Sequence, residues 1–449
     1  MSLQDLFQAV LDNNDVRLQL LILAQQTPSA LDVRNGEGKT LIYCAAVRGY
    51  THMVSMLVDE GCDIDKGAEQ DDLTPIGAAA WNGHAETVAR LADKCANVNK
   101  VTREKRMSPL ASAAGRNHVD TVRVLMQHGA HLDVADRDGD TALTLSINEG
   151  FADIAKMLAD GGADVNKANN KGFNPIISAS GLGHIGIVKT LIDAGADVNK
   201  TLPDRTTALY MASQNNHIDI VKLLVDASAN VHIADDRNAT PLYIASQKGF
   251  TDIVVLLGSR GALVNKATLP HRMSPIYVAA KNGHVDTVKA LLSLGADPSN
   301  PRTHRSTPIS IAAKRGCRDV VEILAQHARV DVNRVNINGE TPLYLAADGG
   351  HSSTIACLLR HGGNMYVGDI NACLPIDIAA KNNRASAVWV LARARIIDIT
   401  IALAPLNLPG YVLLWIADYL PYVKNSQTEI KKITLIQAVI DSIRRIKTL

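Results

Sequence analysis

One repeated pattern with a period of 33 or 34 residues runs from Thr40 to Asn383 and constrains the fold of this 449-residue chain. In ten of eleven copies the first residue is Thr, Ser or Asn, and Pro follows in eight. These side chains accept hydrogen bonds from free amides at a helix start, and Pro suits the first helical position. The period therefore predicts stacked helical units. The copies begin at Thr40, Thr74, Ser108, Thr141, Asn174, Thr207, Thr240, Ser274, Thr307, Thr341 and Leu374.

A Gly or Asn lies nine residues after every start, where it predicts the end of a first helix because both residues tolerate positive φ. A second Gly lies 21 residues after the start in seven copies and predicts the end of a second helix. Cys95, Ser228 and Ala328 replace that Gly in three copies, and we expect weaker helix ends there.

Copies such as TPIGAAAWNGHAETVARL and SPIYVAAKNGHVDTVKALLSLGAD resemble the ankyrin repeat family and its T-P-L-H-x-A signature. The resemblance implies an all-α repeat solenoid of helix-turn-helix units with β-hairpin connections, followed by a short C-terminal helical segment. We expect a degenerate N-terminal capping unit in residues 1–37, the ankyrin solenoid in 38–395, and a helical cap or docking segment in 396–449. Such a solenoid grows by stacking, so we predict one elongated monomer. Tyr replaces the signature His in five copies, at Tyr43, Tyr210, Tyr243, Tyr277 and Tyr344.

The sequence carries no motif that indicates catalysis, a cofactor or a metal. Six cysteines are scattered without C-x-x-C spacing, which favours a reduced, cytoplasmic protein, with the nucleus as an alternative. No nucleophile elbow, phosphate loop or H-E-x-x-H motif occurs, so we expect no enzyme activity. Histidines recur just after the inter-helix turn and therefore indicate a structural role, at His84, His118, His184, His217, His284 and His351.

The resemblance implies that hairpin tips and first helices line a concave surface that contacts protein partners. The two positions before each inter-helix Gly or Asn are the candidate contacts, although an ordinary solvated surface is the alternative. Trp81 could be a binding anchor or could pack against a neighbouring unit. The candidates at helix ends are Arg48, Trp81, Arg116, Lys248, Lys281, Lys314, Arg315 and Lys381. Those in hairpins are Arg103, Lys105, Arg106, His271, Arg272, Arg302, His304 and Arg305.

Charge and hydropathy argue against two other partners. The net charge is only +1 and acidic turns such as Asp235–Asp236 interrupt the basic side chains, so we do not expect nucleic acid binding. Residues 396–417 are apolar but contain Asp398, two prolines and a Gly, so a transmembrane span is not expected.

The pattern changes after residue 396, where LNLPGYVLLWIADYLP resembles the first helix of an F-box. That resemblance implies docking on a Skp1-like adaptor of a cullin-type ubiquitin ligase. The alternatives are a simple cap on the last repeat, and a basic amphipathic helix in a host-directed effector or a membrane-associated regulatory anchor. The docking candidates are Leu408, Pro409, Val412, Leu413, Ile416 and Leu420.

Overall fold

The structure is a computed structural model, and it describes residues 3–23 and 31–403. The chain divides between Ile233 and Ala234 into two compact units, which we describe separately. Within the described residues both units are built from pairs of short α-helices, seven pairs in the first unit and five in the second. These pairs correspond to the eleven repeats and the degenerate N-terminal copy, so the predicted all-α repeat architecture is confirmed.

The first unit contains helices α1 to α14. From α1 to α13 each odd-numbered first helix packs beside the next first helix of this unit, and the second helices do the same from α2 to α14. The helices are α1 Leu3–Leu11, α2 Asp15–Leu23, α3 Leu41–Arg48, α4 Thr51–Asp59, α5 Pro75–Trp81, α6 Ala85–Asp93, α7 Pro109–Ala114, α8 Val119–Gln127, α9 Ala142–Asn148, α10 Ala152–Asp160, α11 Pro175–Leu182, α12 Ile185–Asp193, α13 Ala208–Gln214 and α14 Ile218–Asp226.

The second unit contains helices α15 to α24 and repeats the same stacking. A short 3-10 turn, Thr303–Arg305, precedes α19. The helices are α15 Pro241–Lys248, α16 Thr251–Ser259, α17 Pro275–Asn282, α18 Val285–Ser293, α19 Pro308–Arg315, α20 Arg318–Ala325, α21 Pro342–Gly349, α22 Ser352–Arg360, α23 Pro375–Lys381 and α24 Ala385–Leu403.

Every predicted start lies one residue before a first helix. In ten repeats the side chain caps the helix by accepting a hydrogen bond from the amide three residues on; Thr341 Oγ1, for example, accepts from Tyr344 N at 3.1 Å. Leu374 cannot accept such a bond, and instead the Asp377 carboxylate accepts from the Leu374 amide at 3.1 Å. The Asp377 amide therefore lacks the usual side-chain acceptor and donates to the Leu374 carbonyl at 3.0 Å.

The predicted stops also lie where the backbone reverses. All the inter-helix Gly and Asn residues have positive φ, including Asn117 at 65°. At the second stop, two of the three residues that replace Gly also have positive φ: Cys95 has a φ of 68° and Ser228 a φ of 66°. At the third departure, Ala328, the preceding helix α20 is one residue shorter than most second helices and ends at Ala325.

Successive repeats are joined by turns that are hairpin-like in their hydrogen bonding. Ala68 N donates to Leu73 O at 3.0 Å within one such turn, and Arg103 N donates to Asp71 O at 2.9 Å to link it to the next. Among the described residues this hairpin character reaches isolated antiparallel bridges at Arg34–Thr40 and Thr201–Thr207, without named strands.

Small and aliphatic side chains form the core between stacked pairs. Ala279 and Ala280 of α17 are fully buried, as are Val288 and Leu291 of α18, so the small first helix allows close approach of its neighbours. Side chains in the loop after each second helix add hydrogen bonds between repeats: Asn99 Oδ1 accepts from His131 N at 2.7 Å, and equivalent Asp or Asn residues act likewise elsewhere. The stacked helices hold their ends in a fixed register, which positions the candidate contact residues.

Candidate functional site

The predicted contact residues lie at the C-terminal ends of the first helices. In the second unit α15 packs beside α17, and α17 beside α19. Lys281 and Lys314 lie seven residues after their repeat starts, and Lys248 and Arg315 lie eight residues after theirs, so all four are at the C-terminal ends of these three helices. Lys281 is half-buried and the other three are exposed. We call these four residues the basic row.

The basic row has no acidic partner among the described residues. The ion pairs of the second unit lie instead on second helices and loops, for example Lys289–Asp286 at 3.4 Å and Arg318–Asp319 at 2.9 Å. Four neighbouring cations without carboxylates raise the local positive potential well above what a net charge of +1 suggests. The row can therefore attract acidic groups.

The basic row ends at α21, where an acidic residue occupies the equivalent position. Asp348 Oδ1 accepts from Asn382 Nδ2 at 2.6 Å, and the Asp348 carbonyl accepts from Arg384 Nε at 3.2 Å. The predicted residue Lys381 follows on α23 and is exposed, but Asp348 separates it from the row. The predicted residues of this unit therefore lie on three consecutive repeats, and Lys381 lies apart from them.

The hairpins before α17 and α19 carry the second group of predicted cations. Thr303 joins them, since its amide and hydroxyl donate to His271 O at 3.2 and 2.6 Å. Arg302 lies over the Tyr277 ring, with its guanidinium carbon 5.7 Å from the ring centre. Tyr277 lies one helical turn before Lys281 on α17. The hairpin residue Arg302 and the basic-row residue Lys281 therefore lie near opposite ends of this short helix. The other hairpin cations, Arg272, His304 and Arg305, are exposed and have positive φ.

Three hairpins of the second unit, those before α17, α21 and α23, carry exposed apolar residues that were not predicted from the sequence. Leu269, Ile337 and Ile370 are 59%, 52% and 72% exposed, and each donates its amide to the preceding hairpin. The sequence contains a signal for them, because the equivalent positions in the first unit are mostly polar, as at Arg103 and Asn170. Exposed apolar side chains beside unpaired cations are typical of a surface that binds protein.

In the first unit the structure brings two predicted residues together. The Arg116 guanidinium carbon lies 3.6 Å from the centre of the Trp81 ring, which is a cation–π contact. Trp81 is half-buried and Arg116 is exposed, so one face of the indole is covered by the arginine. Arg48, at the end of neighbouring α3, is exposed and donates to the Cys44 carbonyl at 3.1 Å.

The remaining predicted cations of the first unit lie in one hairpin. Arg103, Lys105 and Arg106 are all exposed. The Lys105 carbonyl accepts from Arg137 N at 2.9 Å, which fixes the hairpin against its neighbour. Beyond Arg116, the later first-helix ends of this unit carry no Lys or Arg at the two candidate positions, so these cations do not continue into a second basic row.

The recurring histidines join successive repeats. His284 Nε2 lies 3.0 Å from the Gln247 carbonyl and His351 Nε2 lies 3.1 Å from the Lys314 carbonyl, with equivalent contacts at His84, His118 and His217. Five of the six imidazoles thus bind the end of the preceding first helix, the structural role that their spacing predicts. The His184 ring lies against Gly150, where an added Cβ would be 2.9 Å from Cε1.

The predicted docking residues Leu408, Pro409, Val412, Leu413, Ile416 and Leu420 lie outside the described residues. Of the helices that the structure describes, none combines the length and apolar character needed to cross a membrane.

Comparison with known proteins gives a consistent result for the repeats. The family model described as ankyrin repeats (3 copies) matches residues 6–102, 96–169, 113–201, 176–268, 263–336 and 326–402. No curated protein matches the chain. The solved structures that match include the crystal structure of the human ASB11 ankyrin repeat domain, with 26% sequence identity and a TM-score of 0.46, covering 50% of this chain and 99% of that one. Because the family model covers most of its length, the chain belongs to the ankyrin repeat family.

Proposed function

We propose that the protein is a non-catalytic interaction scaffold whose second unit binds an acidic, partly apolar segment of a protein partner. The observation that supports this most directly is the basic row, a set of neighbouring cations without carboxylate partners among the described residues. The exposed Ile337 and Ile370, in the two hairpins that follow the row along the chain, supply apolar contact area. Cations would steer the partner and the isoleucines would anchor it.

Peptide selection can test this with a defined probe. A displayed library of random peptides, selected on the full-length protein, should enrich sequences that combine Asp or Glu with apolar residues. The triple variant Lys248→Glu/Lys281→Glu/Lys314→Glu should weaken binding of the enriched peptides at least tenfold, because it reverses the charge of the row. Raising the salt concentration should weaken wild-type binding and affect the variant much less.

A matched control changes the same charge elsewhere in the second unit. The variant Lys289→Glu/Arg318→Glu/Arg329→Glu alters exposed cations outside the first helices and should bind the peptides like wild type. Ile337→Ser/Ile370→Ser should lower the affinity without changing its salt dependence. Selected peptides without acidic residues, or equal losses in both triple variants, would refute the proposal.

In a second proposal, the protein is the substrate-recognition adaptor of a cullin-type ubiquitin ligase. Only the F-box-like sequence from Leu408 to Pro421 supports it. Purified full-length protein should then bind a Skp1-like adaptor directly, and Leu408→Ala/Leu413→Ala should abolish that binding while leaving peptide binding unchanged. If the protein is instead a membrane-associated anchor or a host-directed effector with a basic C-terminal helix, it should bind anionic lipid vesicles.

A further inference from the structure

A carboxylate, a thiol and an imidazole meet between two second helices of the second unit. Glu322 lies on α20, Cys357 lies on α22, and His361 follows α22 as its C-terminal cap. Cys357 Sγ donates to Glu322 Oε2 at 3.1 Å, and His361 Nε2 lies 2.9 Å from Glu322 Oε1. One ligand atom from each of the three residues can be chosen so that all lie within 4.8 Å of one another.

Local spacing and helix packing both create this cluster. Cys357 and His361 are four residues apart, so they lie on the same side of α22. Packing of α20 against α22 then brings Glu322 between them. Cys357 is fully buried, whereas the side chains of Glu322 and His361 remain 24% and 20% exposed. The cluster thus has a closed sulfur side and an edge open to solvent.

We propose that Glu322, Cys357 and His361 bind one zinc ion, with the fourth coordination position open to water. Thiolate, imidazole and carboxylate are the three protein ligands that zinc uses, at bond lengths of about 2.0 to 2.3 Å. In a tetrahedral site such bonds place the ligand atoms about 3.3 to 3.6 Å apart. The two hydrogen-bonded separations, 3.1 and 2.9 Å, are shorter than that range, and all three ligand atoms lie within 4.8 Å of one another. The side chains must therefore move apart by a few tenths of an ångström to admit the ion.

The charges of the site also balance. Coordination forms bonds to the ion from Cys357 Sγ, from one Glu322 oxygen and from one ring nitrogen of His361. The thiol proton is released to solvent, and the imidazole binds in its neutral form with its proton on the other ring nitrogen. One thiolate and one carboxylate then neutralise the two positive charges of zinc.

Two further groups are placed to orient the carboxylate. Arg360 Nη1 donates to Glu322 Oε2 at 3.1 Å, and Gln326 Nε2 donates to Glu322 Oε1 at 3.3 Å. Arg360 can keep its hydrogen bond to Oε2 while Oε1 binds the ion. Hydrogen bonds of this kind commonly hold metal-binding carboxylates in place.

Cobalt provides a direct spectroscopic test on the full-length protein. Reduced, metal-free protein should bind one Co²⁺ per chain, with the visible bands of tetrahedral cobalt and a near-ultraviolet band from sulfur-to-cobalt charge transfer. Addition of Zn²⁺ should displace the cobalt and remove both. Cys357→Ser should lose the charge-transfer band, and Glu322→Gln and His361→Gln should each weaken Co²⁺ binding at least tenfold.

The control variants change the same residue types outside the cluster. Cys95→Ser and His271→Gln alter exposed side chains and should bind Co²⁺ like wild type. No charge-transfer band at a hundredfold excess of Co²⁺, or a band that survives Cys357→Ser, would refute the site and leave a hydrogen-bonded contact between α20 and α22. Substitution of the buried Cys357 can disturb folding, so the variants Glu322→Gln and His361→Gln at the exposed edge provide a second criterion. Unchanged Co²⁺ affinity in these folded variants also refutes the zinc site.

Discussion

At the scale of single residues, the inter-helix turn is restricted by its backbone and by the next repeat. Gly183 has a φ of +86°, a conformation that L-residues with a side chain rarely adopt. A Cβ added there would lie 2.7 Å from His217 Cε1, the ring that contacts the Gly181 carbonyl. The glycine therefore meets two requirements, one local and one set by the stacking of repeats.

Three Gly→Ala variants should separate these two requirements. Gly186→Ala lies inside α12 with open space around it, so it should stabilise by up to ~1 kcal/mol through helix propensity. Gly195 has a φ of +84° and open space around it. Gly195→Ala should therefore lower the free energy of unfolding by about 1 kcal/mol through backbone strain alone. Gly183→Ala combines strain with the clash on His217 and should cost roughly 2 to 3 kcal/mol.

Urea unfolding followed by circular dichroism measures this series, with the shift in midpoint as the readout. Equal effects of Gly183→Ala and Gly195→Ala would show that the His217 ring moves aside without cost. No effect at either position would show that the backbone readily leaves the left-handed conformation there.

At the scale of helices, the sequence predicted the starts and stops because each depends on a local requirement. Thr341 must accept a hydrogen bond from a nearby amide, and Asn117 must adopt positive φ, so neither depends on distant residues. The cluster of Glu322, Cys357 and His361 could not be predicted in this way. These residues occupy different positions within their repeats, and only the packing of α20 against α22 brings the carboxylate to the thiol.

The start of α23 is the one repeat start that lacks a capping side chain. Leu374→Thr should stabilise this helix by roughly 0.5 to 1 kcal/mol, because a hydroxyl would accept the hydrogen bond that other repeats form with the third amide. The matched variant Thr341→Ala removes such an acceptor at α21 and should cost about 1 kcal/mol. Thermal unfolding of both variants gives the signs, and a destabilising Leu374→Thr would mean that contacts of the leucine side chain outweigh the cap.

At the scale of the whole molecule, the total charge and the local distribution of charge lead to different expectations about the surface. Lys and Arg total 46 against 45 Asp and Glu, which predicts no strong overall field. The repeat register nevertheless places Lys248, Lys281 and Lys314 at the ends of three first helices that pack in succession. The sequence could indicate this row because equivalent positions align, and Asp348 at its end was readable in the same register. The sequence alone could not predict whether carboxylates contact these lysines, because such contacts depend on how the helices and loops pack.

A destabilising change in one repeat should remain local within a protein of this architecture. Because each repeat of a solenoid packs mainly on its neighbours, stability is approximately a sum of repeat and nearest-neighbour terms. Gly183→Val introduces strain and a clash at the end of α11 and should speed hydrogen exchange most in α11 to α13. Peptides from α21 and α22 should exchange at the wild-type rate. Mass spectrometry of deuterium uptake measures both regions in one experiment, and an equal increase in both would mean that the repeats unfold as a single cooperative body.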